Sequence, residues 1–251
     1  MTTHMLENVG SLSAVTVLII GFTLGLKHAT EVDHVVAIST IVSQHKNVFR
    51  SAIVGALWGA GHTASLLVVG AIALLLRVAI PERVSGLLEF GVALMIIGLG
   101  ISALWRGLRK GTQIHVHEHS HDGLKHKHIH FHEHEKKHEP SSTSRHSHTV
   151  SRVGIKPLLI GTMHGLAGSG ALTLLVLTQI NSSLIGFLYL AIFGLGSIVG
   201  MVLMSGLLGL PFALTSRNLD QIHRQLQTVA AALSICFGIW YAYHTGTSRL
   251  F

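Results

Sequence analysis

His28-Ala29-Thr30-Glu31-Val32-Asp33-His34 places two imidazoles and two carboxylates within seven residues. Apolar sequence flanks the run, Val15-Thr16-Val17-Leu18-Ile19-Ile20 before it and Val35-Val36-Ala37-Ile38 after it. Ionisable groups at membrane depth are costly, and they mark an ion or substrate path when present. Imidazole with carboxylate is also a ligand set for a borderline divalent metal such as nickel, cobalt or zinc. Hydrogen-bonded polar glue between helices is the competing reading. Four ionisable groups in so short a run exceed what glue needs.

Of the 251 residues, 49% are hydrophobic and only 12% charged, against about 25% charged in soluble domains. Long apolar runs with so little charge predict an all-α polytopic membrane protein. The net charge of +7 sits in loops, so it reads as positive-inside topology and not as a nucleic-acid surface. The one cysteine, Cys236, lies in an apolar run and supports neither a disulfide framework nor a cysteine zinc site. Residues 1–12 show no signal-peptide pattern.

Six hydrophobic segments can be drawn, at 12–43, 51–77, 84–108, 153–180, 183–214 and 225–245. The first exceeds the roughly 20 residues of a simple span, so it is a tilted helix, a broken helix, or a span with a re-entrant piece. The chain divides into a transmembrane half at 1–108, a His-rich loop at 109–152 and a second half at 153–251. Gly25-Leu26-Lys27-His28 matches Gly161-Thr162-Met163-His164, and Trp58-Gly59-Ala60-Gly61 matches Phe193-Gly194-Leu195-Gly196. Three spans per half would make these repeats inverted, a 3+3 arrangement with a site at the interface. Basic residues gather in the loops near Lys46 and Arg50, in 109–152, and near Arg217 and Arg224. Positive-inside therefore predicts the cytoplasmic membrane, a cytoplasmic His-rich loop and both termini outside.

That loop carries His115, His117, His119, His121, His126, His128, His130, His132, His134 and His138. Such a tract binds soft or borderline divalent metals, and without metal it is expected to be disordered. At the amino end, loss of Met1 would leave Thr2-Thr3-His4, an amine, two amides and an imidazole suited to square-planar Ni(II) or Cu(II).

The intramembrane candidates are His28, Asp33, His34 and His62 in Trp58-Gly59-Ala60-Gly61-His62-Thr63, with His164 as the repeat counterpart of His28. Residues 28 and 33–34 do not share one face of a regular helix and lie about 9 Å apart along it. One site for all of them needs local unwinding, or one residue acting through another. Glu31 is a ligand, a partner that orients a histidine, or an interfacial residue.

At these residues the chain resembles the nickel/cobalt transporter family, in its shorter urease-accessory permease branch. The family signature is His, four residues, then Asp-His, with Gly-His in the next helix. Here these are His28 to Asp33-His34 and Gly61-His62. The resemblance implies transport of Ni(II), with Co(II) as a second metal, by His28, Asp33, His34 and His62. Members commonly have Asp where this chain has Glu31, and full-length members have more spans than the six found here. No catalytic cofactor is expected, because the metal is cargo. Expected partners are the bilayer, the divalent ion and cytoplasmic nickel chaperones, without nucleic acid. Uptake is the favoured direction, efflux the first alternative. A membrane metalloenzyme and an accessory subunit of an uptake complex also remain. No phosphate-binding loop or nucleophile elbow is present, and no apolar segment carries the His-x-x-x-His pattern of a zinc helix.

Overall fold

The structure is a computed structural model. It describes residues 15–16, 18–78, 80–109, 115–121, 124–130, 154–179 and 183–250. The helices are α1 (Leu18–His28), α2 (Val32–Val42), α3 (Val48–Leu76), α4 (Glu82–Arg109), α5 (Lys156–Gln179), α6 (Ser183–Asn218) and α7 (Asp220–Thr245). Among the described residues, four helices (α3, α4, α6 and α7) are long and apolar enough to cross a membrane, and α5 adds 24 residues. The fold is that of an all-helical polytopic membrane protein. Large apolar side chains such as Phe49, Leu75, Leu184 and Leu207 face outward, as a bilayer requires.

The over-long first segment is a broken helix. Backbone bonds tighten to Thr30 N on Lys27 O and Glu31 N on His28 O, ending α1. Glu31 then takes extended geometry (φ −63°, ψ 148°) and opens α2. The break moves Asp33 and His34 onto a new helix axis. Asp33 falls in its first turn, where the helix dipole favours a carboxylate. Asn47 caps α3 by accepting from the amides of Phe49 and Arg50, and Arg77 closes it in the left-handed conformation (φ 53°). The expected loop near Arg217 and Arg224 is reduced to Leu219 between α6 and α7, because helical hydrogen bonding runs on past Pro211.

Glycines let the helices approach backbone to backbone. A Cβ at Gly25 would strike the Phe193 carbonyl, and one at Gly161 would strike that of Trp58. Gly61 abuts Leu158 as Gly196 abuts Phe22, and Gly59 abuts Ile198 as Gly194 abuts Thr63. Each pair maps onto its mate when residue numbers shift by the repeat offset seen in the sequence (25 to 161, 59 to 194). A third pair follows in α4 and α7, where Gly100 meets Ala231 and Ile235 while Gly238 meets Ala93 and Ile97. The two halves therefore pack on each other reciprocally.

Between the halves, β1 (His115–His121) pairs antiparallel with β2 (Leu124–His130). This differs from the expected disorder over these residues. The His-x-His alternation has the two-residue period of a strand. In the register His115 faces His130, His117 faces His128 and His119 faces His126.

Candidate metal centre

The break and the glycine contacts together assemble the cluster. His28 ends α1, Asp33 and His34 open α2, His62 lies on α3 one residue after Gly61, and His164 lies on α5. All four histidines are buried, His62 completely. His28 Nε2 and His62 Nε2 face each other at 3.2 Å. His34 donates from Nδ1 to Asp33 Oδ1 at 3.0 Å, and His164 donates from Nε2 to Asp33 Oδ2 at 2.8 Å. One carboxylate thus orients two imidazoles, as metal-binding histidines are commonly held.

These bonds leave lone pairs without use. His34 Nε2, His62 Nδ1 and His164 Nδ1 are buried with no hydrogen-bond partner. A buried polar atom left unpaired costs about 1–3 kcal/mol, and three in one cluster are explained if a ligand completes them. The 3.2 Å gap between His28 Nε2 and His62 Nε2 also fits a shared ion; in that arrangement His62 Nδ1 carries the proton, and His34 Nε2 and His164 Nδ1 remain the lone pairs open to a ligand. Two nitrogens at about 2.0–2.1 Å from one metal are about 2.9 Å apart at a right angle and about 3.4 Å apart in a tetrahedron. Two sets, His28 with His34 and His62, and Asp33 with His34 and His164, each have candidate ligand atoms within 4.8 Å of one another.

Of the three readings of Glu31, the structure shows the orienting contact. Its Oε2 lies 3.0 Å from His28 Nδ1, while its side chain is 55% exposed. Holding the proton on Nδ1 turns the His28 Nε2 lone pair toward His62.

Two aromatic residues belong to the site that the sequence reading did not assign to it. Trp58 lies near-parallel to His34 (ring centroids 5.7 Å apart, 9° between planes), and Phe193 packs on His28 at 5.4 Å. Both occupy the same position in the two Gly-rich repeat motifs, which was the available signal. Thr2, Thr3, His4, His132, His134 and His138 lie outside the described residues. For His115, His117, His119, His121, His126, His128 and His130 the structure describes only the backbone of the hairpin.

A buried cluster of imidazoles around a carboxylate, where the two helical halves of a membrane-type bundle meet, is a donor set that suits a borderline divalent metal ion. The family model for NicO, the high-affinity nickel-transport protein, matches residues 14–215. The chain belongs to this nickel-transporter family. The urease accessory protein UreH of Bacillus sp. (strain TB-90) is 38% identical over 241 residues, 93% of each chain. The chloroplast proteins FOR GROWTH AND FERTILITY 2 and 1 of Arabidopsis thaliana are 23% and 25% identical, each over 87% of this chain. The matches take in 54% and 56% of those longer proteins. No solved structure matches.

Proposed function

We propose that the chain imports Ni(II), with Co(II) as a second metal, across the cytoplasmic membrane through His28, Asp33, His34, His62 and His164. The observation that carries this reading is the meeting of those five side chains from four helices, with three ring nitrogens left unpaired. The ion exchanges water for imidazole nitrogen, and Asp33 offsets its charge. Glu31 keeps the proton of His28 on the nitrogen that faces away from His62. Positive-inside topology puts Lys46, Arg50, Lys156 and the 109–152 segment in the cytoplasm and both termini outside. The His-rich segment then receives the imported ion and passes it to cytoplasmic nickel chaperones, and Thr2-Thr3-His4 gathers it outside. The urease-accessory relative supports a role in supplying nickel to a metalloenzyme.

Accumulation of radioactive nickel in cells expressing the chain tests this, against empty cells and His34→Ala at equal membrane abundance. Import gives a several-fold excess over empty cells that the variant loses, with cobalt competing. Nickel below the empty-cell level, restored by the variant, would make the chain an exporter. Equal nickel in all three refutes the reading.

A further inference from the structure

We infer that a cleft between the ends of α2, α3, α4 and α5 binds the phosphate headgroup of an anionic phospholipid. Arg50 of α3, Arg106 of α4 and Lys156 of α5 converge on this cleft of about 210 Å³, and no Asp or Glu lines it. Among the described residues, no carboxylate forms an ion pair with any of the three. Arg106 is steadied by its own helix, where Nε donates to the Ser102 carbonyl at 3.0 Å and Nη2 to Ser102 Oγ at 2.9 Å. The rest of its five donors are left for a ligand. Burial, and then the Arg50 guanidinium, hold His45 of the α2–α3 loop below the usual histidine value. Arg50 thus acts on its neighbour as an unbalanced positive charge. Such a rim repels a metal ion and suits a phosphate, whose oxygens accept from several cations at once.

The cleft lies where headgroups lie, at the ends of the spans. Arg50 is in the first turn of α3, Lys156 opens α5, and Arg106 is in the last turn of α4. The amino ends of α3 and α5 add the positive ends of two helix dipoles. Below the basic rim the floor is apolar, made by Ile41, Leu99 and Ile160. Leu99 is about 10 Å further along α4 than Arg106, at 1.5 Å per residue. A basic rim over an apolar floor fits an amphiphile, whereas a free phosphate would leave the floor uncovered. Trp105 and Leu108 on α4, with Ile155 and Leu159 at the start of α5, are exposed beside the rim and offer the acyl chains a surface. Tryptophan is the side chain enriched at this depth. Basic clefts between membrane helices are known to take anionic headgroups. A lipid seated here would also brace the centre, because α2, α3 and α5 carry Asp33, His34, His62 and His164.

Native mass spectrometry of the purified full chain in a non-ionic detergent, titrated with phosphatidylglycerol, counts the lipids held. Phosphatidylcholine with the same acyl chains and inorganic phosphate are the comparison titrants. The chain should retain phosphatidylglycerol at a several-fold lower concentration than phosphatidylcholine, and inorganic phosphate at equal concentration should not displace it. Arg50→Gln with Lys156→Gln should weaken retention by about twentyfold or more, at about fivefold per cation. Lys46→Gln with Arg109→Gln removes the same charge at the same end of the bundle, from outside the cleft, and should change retention by no more than about twofold. If the cleft double variant aggregates, Lys156→Gln alone decides the matter by its loss of about fivefold. Equal losses in the two double variants mean general attraction to a basic surface and overturn the inference. Equal retention of phosphatidylcholine, or wild-type retention by the cleft variant, overturns it as well. Displacement by inorganic phosphate would make the cleft a free-anion site and overturn the assignment to lipid.

Discussion

Gly61→Ala changes no ligand, yet it should disable the centre. The new Cβ would lie 3.0 Å from both the amide nitrogen and Oγ1 of Thr162, and closer still to the Leu158 carbonyl oxygen. The obstacle is largely α5 backbone, which no rotamer change relieves. Restoring ordinary contact needs α3 and α5 to part by about 1 Å, and overpacking of this kind costs about 1–3 kcal/mol. His62 is the next residue, and its Nε2 stands 3.2 Å from that of His28. Since two nitrogens on one ion reach at most about 4.2 Å, a shift of about 1 Å consumes most of the remaining reach. Nickel affinity at the centre should drop by about tenfold or more, the usual effect of disturbing the support around a metal ligand. The control is Gly98→Ala on α4, where a Cβ would meet nothing within 4 Å. That change should be neutral or stabilising by up to about 1 kcal/mol, the helix preference of alanine over glycine. The assay pairs thermal unfolding in detergent with nickel flux in liposomes. Gly61→Ala should unfold about 5 °C lower, at about 2–4 °C per kcal/mol for a chain of this size, and lose flux. If both alanine variants match the wild type in stability and flux, close approach of α3 and α5 does not build the site.

Asp33→Asn keeps the volume and one acceptor but removes the charge, so nickel flux should drop by about tenfold or more; flux at the wild-type level would show that the carboxylate is not needed. Neutral imidazole is the ligand form and metal binding there competes with protons, so uptake should weaken on acidification; a rate that rises on acidification, measured with a clamped pH gradient, contradicts this. Replacing 113–140 by a Gly-Ser linker should lower the number of nickel ions bound per chain without slowing the initial rate of entry; a slower initial rate would put that segment in the path. With Cys236→Ser as background, a cysteine placed in 109–152 should react with a membrane-impermeant maleimide only after cells are opened; labelling of intact cells would reverse the orientation.

The helical membrane fold was legible because hydrophobic length and scarce charge are one-dimensional signals. The segment boundaries followed, except between 214 and 225, where α6 runs on to Asn218 and α7 starts at Asp220. The candidate site residues too were legible, since His28, Asp33 and His34 are costly in apolar sequence. Their meeting was not. Helical geometry shows only that residues 28 and 33–34 need unwinding between them, and which unwinding occurs depends on backbone bonds at Thr30 and Glu31. His164 was legible only through the repeat, because its contact with Asp33 joins α5 to α2 across the two halves. The α4–α7 match of Gly100 with Gly238 escaped notice because its offset, 100 to 238, departs from that of the earlier motifs. Trp58 and Phe193 read as ordinary packing residues, for a ring against a histidine leaves no mark in sequence. The hairpin between the halves escaped because composition suggested disorder while the alternation carried a strand period.

The central claim is that the intramembrane histidines bind the ion. Diffraction at the nickel absorption edge, from crystals of the full chain grown with Ni(II), tests it most directly. An anomalous peak about 2.1 Å from ring nitrogens of His28, His34 and His62, or from Asp33, His34 and His164, is the predicted result. Peaks confined to the 109–152 segment, with none among these residues at saturating nickel, would contradict it.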